Sequence, residues 1–314
     1  MNGSSNGRIN VQSAIQTHNL TKSYGKHRGI INVNLDIRVG EVFGFLGPNG
    51  AGKSTALRTI TALMKPTSGS CQIMGIDPHR HPVEAMKNIG NLPNEFSLED
   101  RMTGRQLIGL FARLRGISDT SFADVLAKRI DADLDRPMRK LSRGNKQKIG
   151  IVQAMFHRPP VVILDEPTGG LDPLVQDQFM GILGEAQQQG QTVLFSSHVL
   201  SEIEKVADRV GIIRQGELVA VENPHDLTER AIRHVHIRFV DDVSTTLIHH
   251  LESQQGICNI SVEGSSLRFT LHSNANELLA TISPYPVVTI DIERPSLEEI
   301  FLTFYGLGQT GGTE

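Results

Sequence analysis

Gly47, Gly50, Gly52, Lys53 and Ser54 stand at the spacing G-x-x-x-x-G-K-[ST]. That pattern is suited to holding a polyphosphate. Glycines carry no Cβ, so consecutive backbone N–H groups can converge on an anion. A helix starting there turns its N-terminus to the same charge. Lys53 supplies a cation for β- and γ-phosphates, and the Ser54 hydroxyl a ligand for Mg²⁺. Pro48, Asn49 and Ala51 shape the loop, and the Thr55 hydroxyl falls beside an α-phosphate.

A second group lies far downstream. Asp165 and Glu166 follow the apolar run Val161–Leu164. At a rigid strand end one carboxylate can hold the Mg²⁺ shell while its neighbour polarises an attacking water. His198 ends the next apolar run and can hydrogen-bond a γ-phosphate or that water. Tyr24, upstream of the loop, offers a π-face to a base. Each residue has a plainer reading: a glycine turn, a solvated Asp-Glu turn, a structural histidine, a strand-end tyrosine. The strand before the loop, the helix after it and the apolar run before Asp165 favour the chemical reading.

These side chains need a scaffold of alternating strands and helices. Apolar runs predict strands at 14–24, 30–39, 41–46, 70–74, 89–92, 161–164 and 192–196, with a hairpin at 209–214 and 217–221. Helical spacing covers 55–64, 83–88, 103–115, 122–129, 146–156, 173–189 and 199–207. This is an α/β, doubly wound pattern with an antiparallel edge. Residues 96–145 form a helical insert, whose exposed apolar residues either dock another protein or pack on themselves. After a boundary at 222–229 the pattern becomes β-α-β-β-α-β over 230–306, a small α+β unit of split-βαβ, ferredoxin-like type, closed by a helix at 296–304. Residues 1–13 and 307–314 are expected to be flexible tails.

Composition bounds the function. The chain has 314 residues, enough for about two domains. Its net charge of −3 gives no basic excess for nucleic acid, so none is expected as a partner. The two cysteines, Cys71 and Cys258, lack metal-site spacing. No run of about 18 apolar residues is present, and the polar start is not a secretory signal.

The motifs in order are GPNGAGKST (47–55), LSRGN (141–145), VVILDEP (161–167), GGLDP (169–173) and SSHVL (196–200). This order resembles the ATP-binding subunits of ABC transporters over residues 14–222. The resemblance implies a P-loop ABC ATPase domain, a mixed sheet with a helical subdomain, using ATP and Mg²⁺. It implies Asp165 as the Walker B aspartate, Glu166 as catalytic base, His198 as switch histidine, Asp172 as D-loop aspartate and Tyr24 as the aromatic beside adenine. It also implies a homodimer, because the signature Ser142, Arg143, Gly144 and Asn145 of one copy would face the phosphate loop of the other.

Two segments depart from the family, at three positions. Arg143 and Asn145 replace Gly and Gln of the usual LSGGQ, and Arg143 would disfavour a positive-φ backbone. Asn94 stands near the place of a glutamine that reaches Mg²⁺, one methylene shorter, with Glu95 beside it. The ending ERPSLEEIFLTFYG is similar to the accessory domain of ATPases serving ABC-2 type permeases. The implied protein powers export of a drug, antibiotic or lipid-like compound through a separate integral-membrane permease, held peripherally on the cytoplasmic face of the membrane. An importer ATPase and a non-transport ABC ATPase are the competing readings.

Overall fold

The computed structural model describes residues 13–25, 27–94, 101–229, 233–272 and 275–293. The chain divides into two compact units between Pro224 and His225.

In the first unit β1 (Ser13–Tyr24) and β2 (His27–Arg38) form an antiparallel pair. β3 (Val42–Leu46) is wholly buried and runs into the glycine loop and α1 (Lys53–Ile60). β4 (Ser68–Ile73) returns to pair with β1. Then come α2 (Pro82–Lys87), β5 (Ile89–Leu92), α3 (Gly104–Arg115), α4 (Ser121–Arg129), a 3₁₀ turn at Met138–Lys140 and α5 (Arg143–Met155). β6 (Val161–Leu164), α6 (Pro173–Gln188), β7 (Thr192–Ser197), α7 (Leu200–Glu204), β8 (Arg209–Arg214) and β9 (Glu217–Glu222) complete it.

The main sheet has the order β5-β6-β7-β3-β8-β9, parallel except for the antiparallel edge β9. The three-stranded sheet β2-β1-β4 shares one core with it: Ile15, Leu20, Ile30 and Val33 pack with Phe43, Phe45, Leu57 and Ile60. An eight-residue helix such as α1 is too short to be stable alone in water. Burial of Leu57 and Ile60, worth about 1.5–3 kcal/mol each, holds it in place. The parallel strands β3, β6 and β7 are buried along their full length, as both faces of such a sheet are covered.

Helices α3 and α4 of the helical insert both pack against α5. Leu107, Ile108, Ala112 and Leu126 are buried, whereas Leu114 and Val125 are exposed. Thr103 caps α3 by accepting from Gln106 N, and the Gln106 side chain answers with a bond from Thr103 N.

α8 (Pro224–Glu229) lies where the sequence suggests only a boundary. The second unit holds β10 (Arg233–Phe239), α9 (Thr245–Ser253), β11 (Ile257–Glu263), β12 (Ser266–Leu271), α10 (Ala275–Ile282) and β13 (Val287–Glu293). Its antiparallel sheet has the order β11-β12-β10-β13, the split-βαβ arrangement. The expected helix at 296–304, the ERPSLEEIFLTFYG segment, residues 1–12 and the 307–314 tail lie outside the described residues.

Several boundaries move for local reasons. α1 begins at Lys53 and ends at Ile60, because Lys53 and Ser54 are its first turn and Ala62 takes a positive φ of 56°. α5 begins at Arg143, three residues before the expected start at Lys146, because the Ser142 hydroxyl caps it by accepting from Asn145 N. Arg143 is thus the first helical residue and does not take a positive φ. The conflict expected between its side chain and the backbone does not arise.

Candidate functional site

The loop between β3 and α1 is shaped as an anion cradle. Gly50 and Gly52 take φ of 79° and 109°, values that an L side chain resists. A Cβ on Gly47 would lie 2.5 Å from the Ile213 carbonyl oxygen. No side chain caps α1, and no acidic residue sits in its first turn. Its leading N–H groups are left to an external anion. The run from Pro48 to Thr55 lines a cleft of about 210 Å³ with Gly29, Asn94 and Glu166. Glu95 lies outside the described residues.

Lys53 is buried, and its Nζ donates to the Gly47 oxygen at 2.6 Å and the Pro48 oxygen at 3.2 Å. The same ammonium sits 3.1 Å from Glu166 Oε1. His198 Nδ1 lies 2.8 Å from the other carboxylate oxygen, Glu166 Oε2. One carboxylate therefore bridges the phosphate-loop lysine and the strand-end histidine.

Glu166 has a φ of 49°, an uncommon conformation for a residue with a Cβ. Its surroundings hold it there. Its N–H donates to Ser196 Oγ at 2.9 Å, and its carbonyl accepts from Gln147 Nε2 at 3.2 Å. Ser196 Oγ also donates to Asp165 Oδ1 at 2.8 Å. The parallel register that sets Leu164 beside Phe195 places these next residues side by side. Asp165 Oδ2 is buried with no hydrogen-bond partner among the described residues. A carboxylate oxygen so stranded fits a bound cation, and the adjoining cradle fits phosphate. The residues present thus suit ATP with Mg²⁺.

The LSRGN segment lies outside this cleft. Ser142 caps α5, and Arg143 is exposed. Asn145 Oδ1 accepts from Asp133 N at 3.0 Å. Gly144 lies so close to Gly170 that a Cβ would meet the Gly170 oxygen at 2.6 Å. Asp172 caps α6 by accepting from Val175 N at 3.0 Å. Tyr24 is half-exposed, and its hydroxyl meets Met64 Sδ at 2.6 Å. It does not line the cleft, but it flanks Gly29, which does.

Sequence reading missed Ser196, Gln147 and Gly29. Ser196 had a signal: a serine ending an apolar strand, next to the strand that ends in Asp-Glu. The long-range contact of Gln147 with Glu166 and Pro167 had none.

A parallel sheet carrying a glycine phosphate loop, with paired carboxylates and a histidine on adjacent strand ends, defines a P-loop ATPase. The ABC transporter family matches residues 30–169, and the C-terminal domain of the DrrA1-3-like ATP-binding proteins matches residues 228–305. The bacitracin transport ATP-binding protein BcrA of Bacillus licheniformis is 31% identical over 96% of this chain and 100% of its own length. The lantibiotic transport ATP-binding protein SrtF of Streptococcus pyogenes is 35% identical over 68% of this chain and 93% of its own. Among solved structures, the dimeric structure of MJ0796, a bacterial ABC transporter cassette, superimposes with a TM-score of 0.61 at 27% identity, covering 67% of this chain and 98% of that one. The chain belongs to the ABC transporter ATP-binding family.

Proposed function

We propose that the chain is the ATP-hydrolysing subunit of an exporter of antibiotic or peptide-like compounds, acting as a homodimer on a separate ABC-2 type permease at the cytoplasmic face of the membrane. The bridging of Lys53 and His198 by Glu166, beside an anion cradle, carries the hydrolytic part of this reading. The full-length similarity to a bacitracin transport ATPase and the antibiotic-related names of other relatives support the export part. The dimeric cassette supports the homodimer. No helix among the described residues is long and apolar enough to cross a membrane, so the cargo path is assigned to the permease.

Bound Mg²⁺–ATP supplies the phosphoanhydride bond and the charge that screens its oxygens. The cradle from Gly47 to Thr55 binds the phosphates through backbone N–H groups, and Lys53 turns to them from the carbonyls it now holds. Ser54 and Asp165 would hold the metal, with Asn94 on the same cleft wall. Glu166 accepts the proton of an attacking water, and His198 orients that carboxylate. Ser142, Arg143, Gly144, Asn145 and Asp172 lie outside the chain's own cleft and are assigned to the cleft of a second copy. Tyr24 is assigned to the adenine.

The test is reconstitution. The chain is co-expressed with the ABC-2 type permease it purifies with, in inverted vesicles. ATP-dependent accumulation of an antibiotic peptide inside the vesicles is expected, abolished by Lys53→Ala. ATP turnover with loss of a preloaded compound would instead favour an importer. Purification with ribosomes or DNA and no permease would favour the non-transport reading.

A further inference from the structure

The C-terminal unit has a core on one face of its sheet. Val235, Ile237 and Phe239 of β10 pack there with Leu247 of α9 and Leu278 of α10. Strand alternation turns His234, His236 and Arg238 to the opposite face. Antiparallel register then sets their neighbours. His236 lies opposite Arg268 of β12 on one side and Asp291 of β13 on the other, and His234 lies between Thr270 and Glu293. On β11 the register shifts between Cys258 and Ser261, and Asn259 takes a φ of 56°. That bulge brings Asn259 Nδ2 to 3.3 Å from Thr270 Oγ1. His234, His236, Asn259, Arg268, Thr270 and Glu293 together line a cavity of about 510 Å³, within the roughly 300–1,000 Å³ usual for small-molecule sites.

Two observations separate this cavity from an ordinary wet sheet face. His236 Nε2 is shielded from solvent and has no hydrogen-bond partner among the described residues. A polar atom left in that state is unfavourable, and a ligand that bonds to it removes that cost. Arg268, directly opposite, is exposed, and no described carboxylate pairs with its guanidinium. A free guanidinium presents a planar fork of N–H donors suited to a carboxylate or phosphate.

We propose that this cavity is a second ligand site, specific for a small molecule bearing a carboxylate or phosphate group. Arg268 anchors the anionic group, and a turn of the His236 side chain brings its shielded Nε2 to the same group as a donor. The Asn259 amide and the Thr270 hydroxyl edge the same space. Glu293, across β10 from Thr270, accepts from a hydroxyl or amino group at the other end of the molecule. None of these residues belongs to the nucleotide cleft, so the inference stands apart from the ATPase reading.

The experiment uses the full chain with an excess of a non-hydrolysable ATP analogue and Mg²⁺, which fills the phosphate loop, including the γ-phosphate position, and keeps added anions off it. Inorganic phosphate and succinate are titrated separately at constant ionic strength. The ring proton signals of His234 and His236 are followed by NMR, assigned with His234→Gln and His236→Gln. A saturable shift of the His236 signal is expected with one anion, and which anion produces it distinguishes phosphate from carboxylate. Arg268→Gln should weaken that response by at least about 10-fold, the value of a charge-assisted hydrogen bond, and Arg268→Lys should restore part of it. Arg268 is exposed, so unchanged thermal melting is the check that these variants fold. No saturable shift with either anion, or an equal response in Arg268→Gln, overturns the proposal.

Discussion

Lys53 and Glu166 face each other as an ion pair, Nζ to Oε1 at 3.1 Å, with 5% and 14% of their side chains exposed. With His198 at the other carboxylate oxygen, the groups assigned to phosphate binding and to water activation form one charge-paired cluster. A phosphate that takes Lys53 as its cation has to compete with this pair.

Glu166→Gln removes the base and weakens the hold on Lys53 together. Hydrolysis should fall by about 10²–10⁴-fold, the usual effect of losing a general base. ATP affinity should stay level or rise, because Lys53 no longer has a carboxylate to leave. Turnover and equilibrium binding measure the two effects, and sedimentation with ATP should show an accumulated dimer. Parental turnover in this variant would falsify the role given to Glu166.

Ser196→Ala strikes the same site from behind. The Ser196 hydroxyl donates to Asp165 and accepts from Glu166 N, and it is fully buried. Its loss strands two buried groups, at about 1–3 kcal/mol for each. Urea unfolding should register that loss. The Mg²⁺ concentration for half-maximal turnover should rise as well, since Asp165 is no longer oriented. A stability loss with an unchanged Mg²⁺ requirement would limit Ser196 to a structural role.

Much of this arrangement was legible in the sequence. The phosphate loop, the strand ending in Asp165 and Glu166 and the β-α-β-β-α-β order of the second unit all rest on local signals: glycine spacing, apolar runs and period. What escaped notice depends on contacts between distant segments. The bond from Ser196 to Asp165 follows from strand register, which periodicity does not encode. The start of α5 turned on one side-chain cap, Ser142 to Asn145. Without that cap in view the helix is expected to start at Lys146, whereas Arg143 is its first residue.

Neighbouring positions of α5 should therefore respond unequally. Arg143 is helical and exposed, and a cation at a helix N-terminus opposes the helix dipole by about 0.3–1 kcal/mol. Arg143→Gly offsets that relief with glycine's own helix penalty, so stability should change by less than about 0.5 kcal/mol. Turnover should persist. Gly144→Ala instead drives a methyl against the Gly170 oxygen at 2.6 Å, a backbone atom that cannot swing aside. A loss of about 1–3 kcal/mol is expected from such overpacking. Denaturation of both variants checks the pair, and equal effects would contradict the helical placement of Arg143.

The last prediction concerns pH. His157 follows α5, with its ring centroid 5.0 Å from that of Phe156. Burial, and then the positive charge of Arg115, lower its pKa from 6.5 to about 4. Neither ring nitrogen has a hydrogen-bond partner of good geometry among the described residues. The unfolded chain takes up this proton near pH 6.5, whereas the folded chain resists it until about pH 4. Stability must therefore fall as pH drops through that window, and above it His157 contributes no slope. Between pH 7 and pH 5 the loss from this one group is about 2 kcal/mol. His157→Phe keeps an aromatic ring and removes the titration. Urea unfolding at both pH values should give the variant a smaller loss than the parent by about that amount. Parallel losses in the two proteins would mean that His157 is protonated in the folded state, and that the acid sensitivity of this unit has another source.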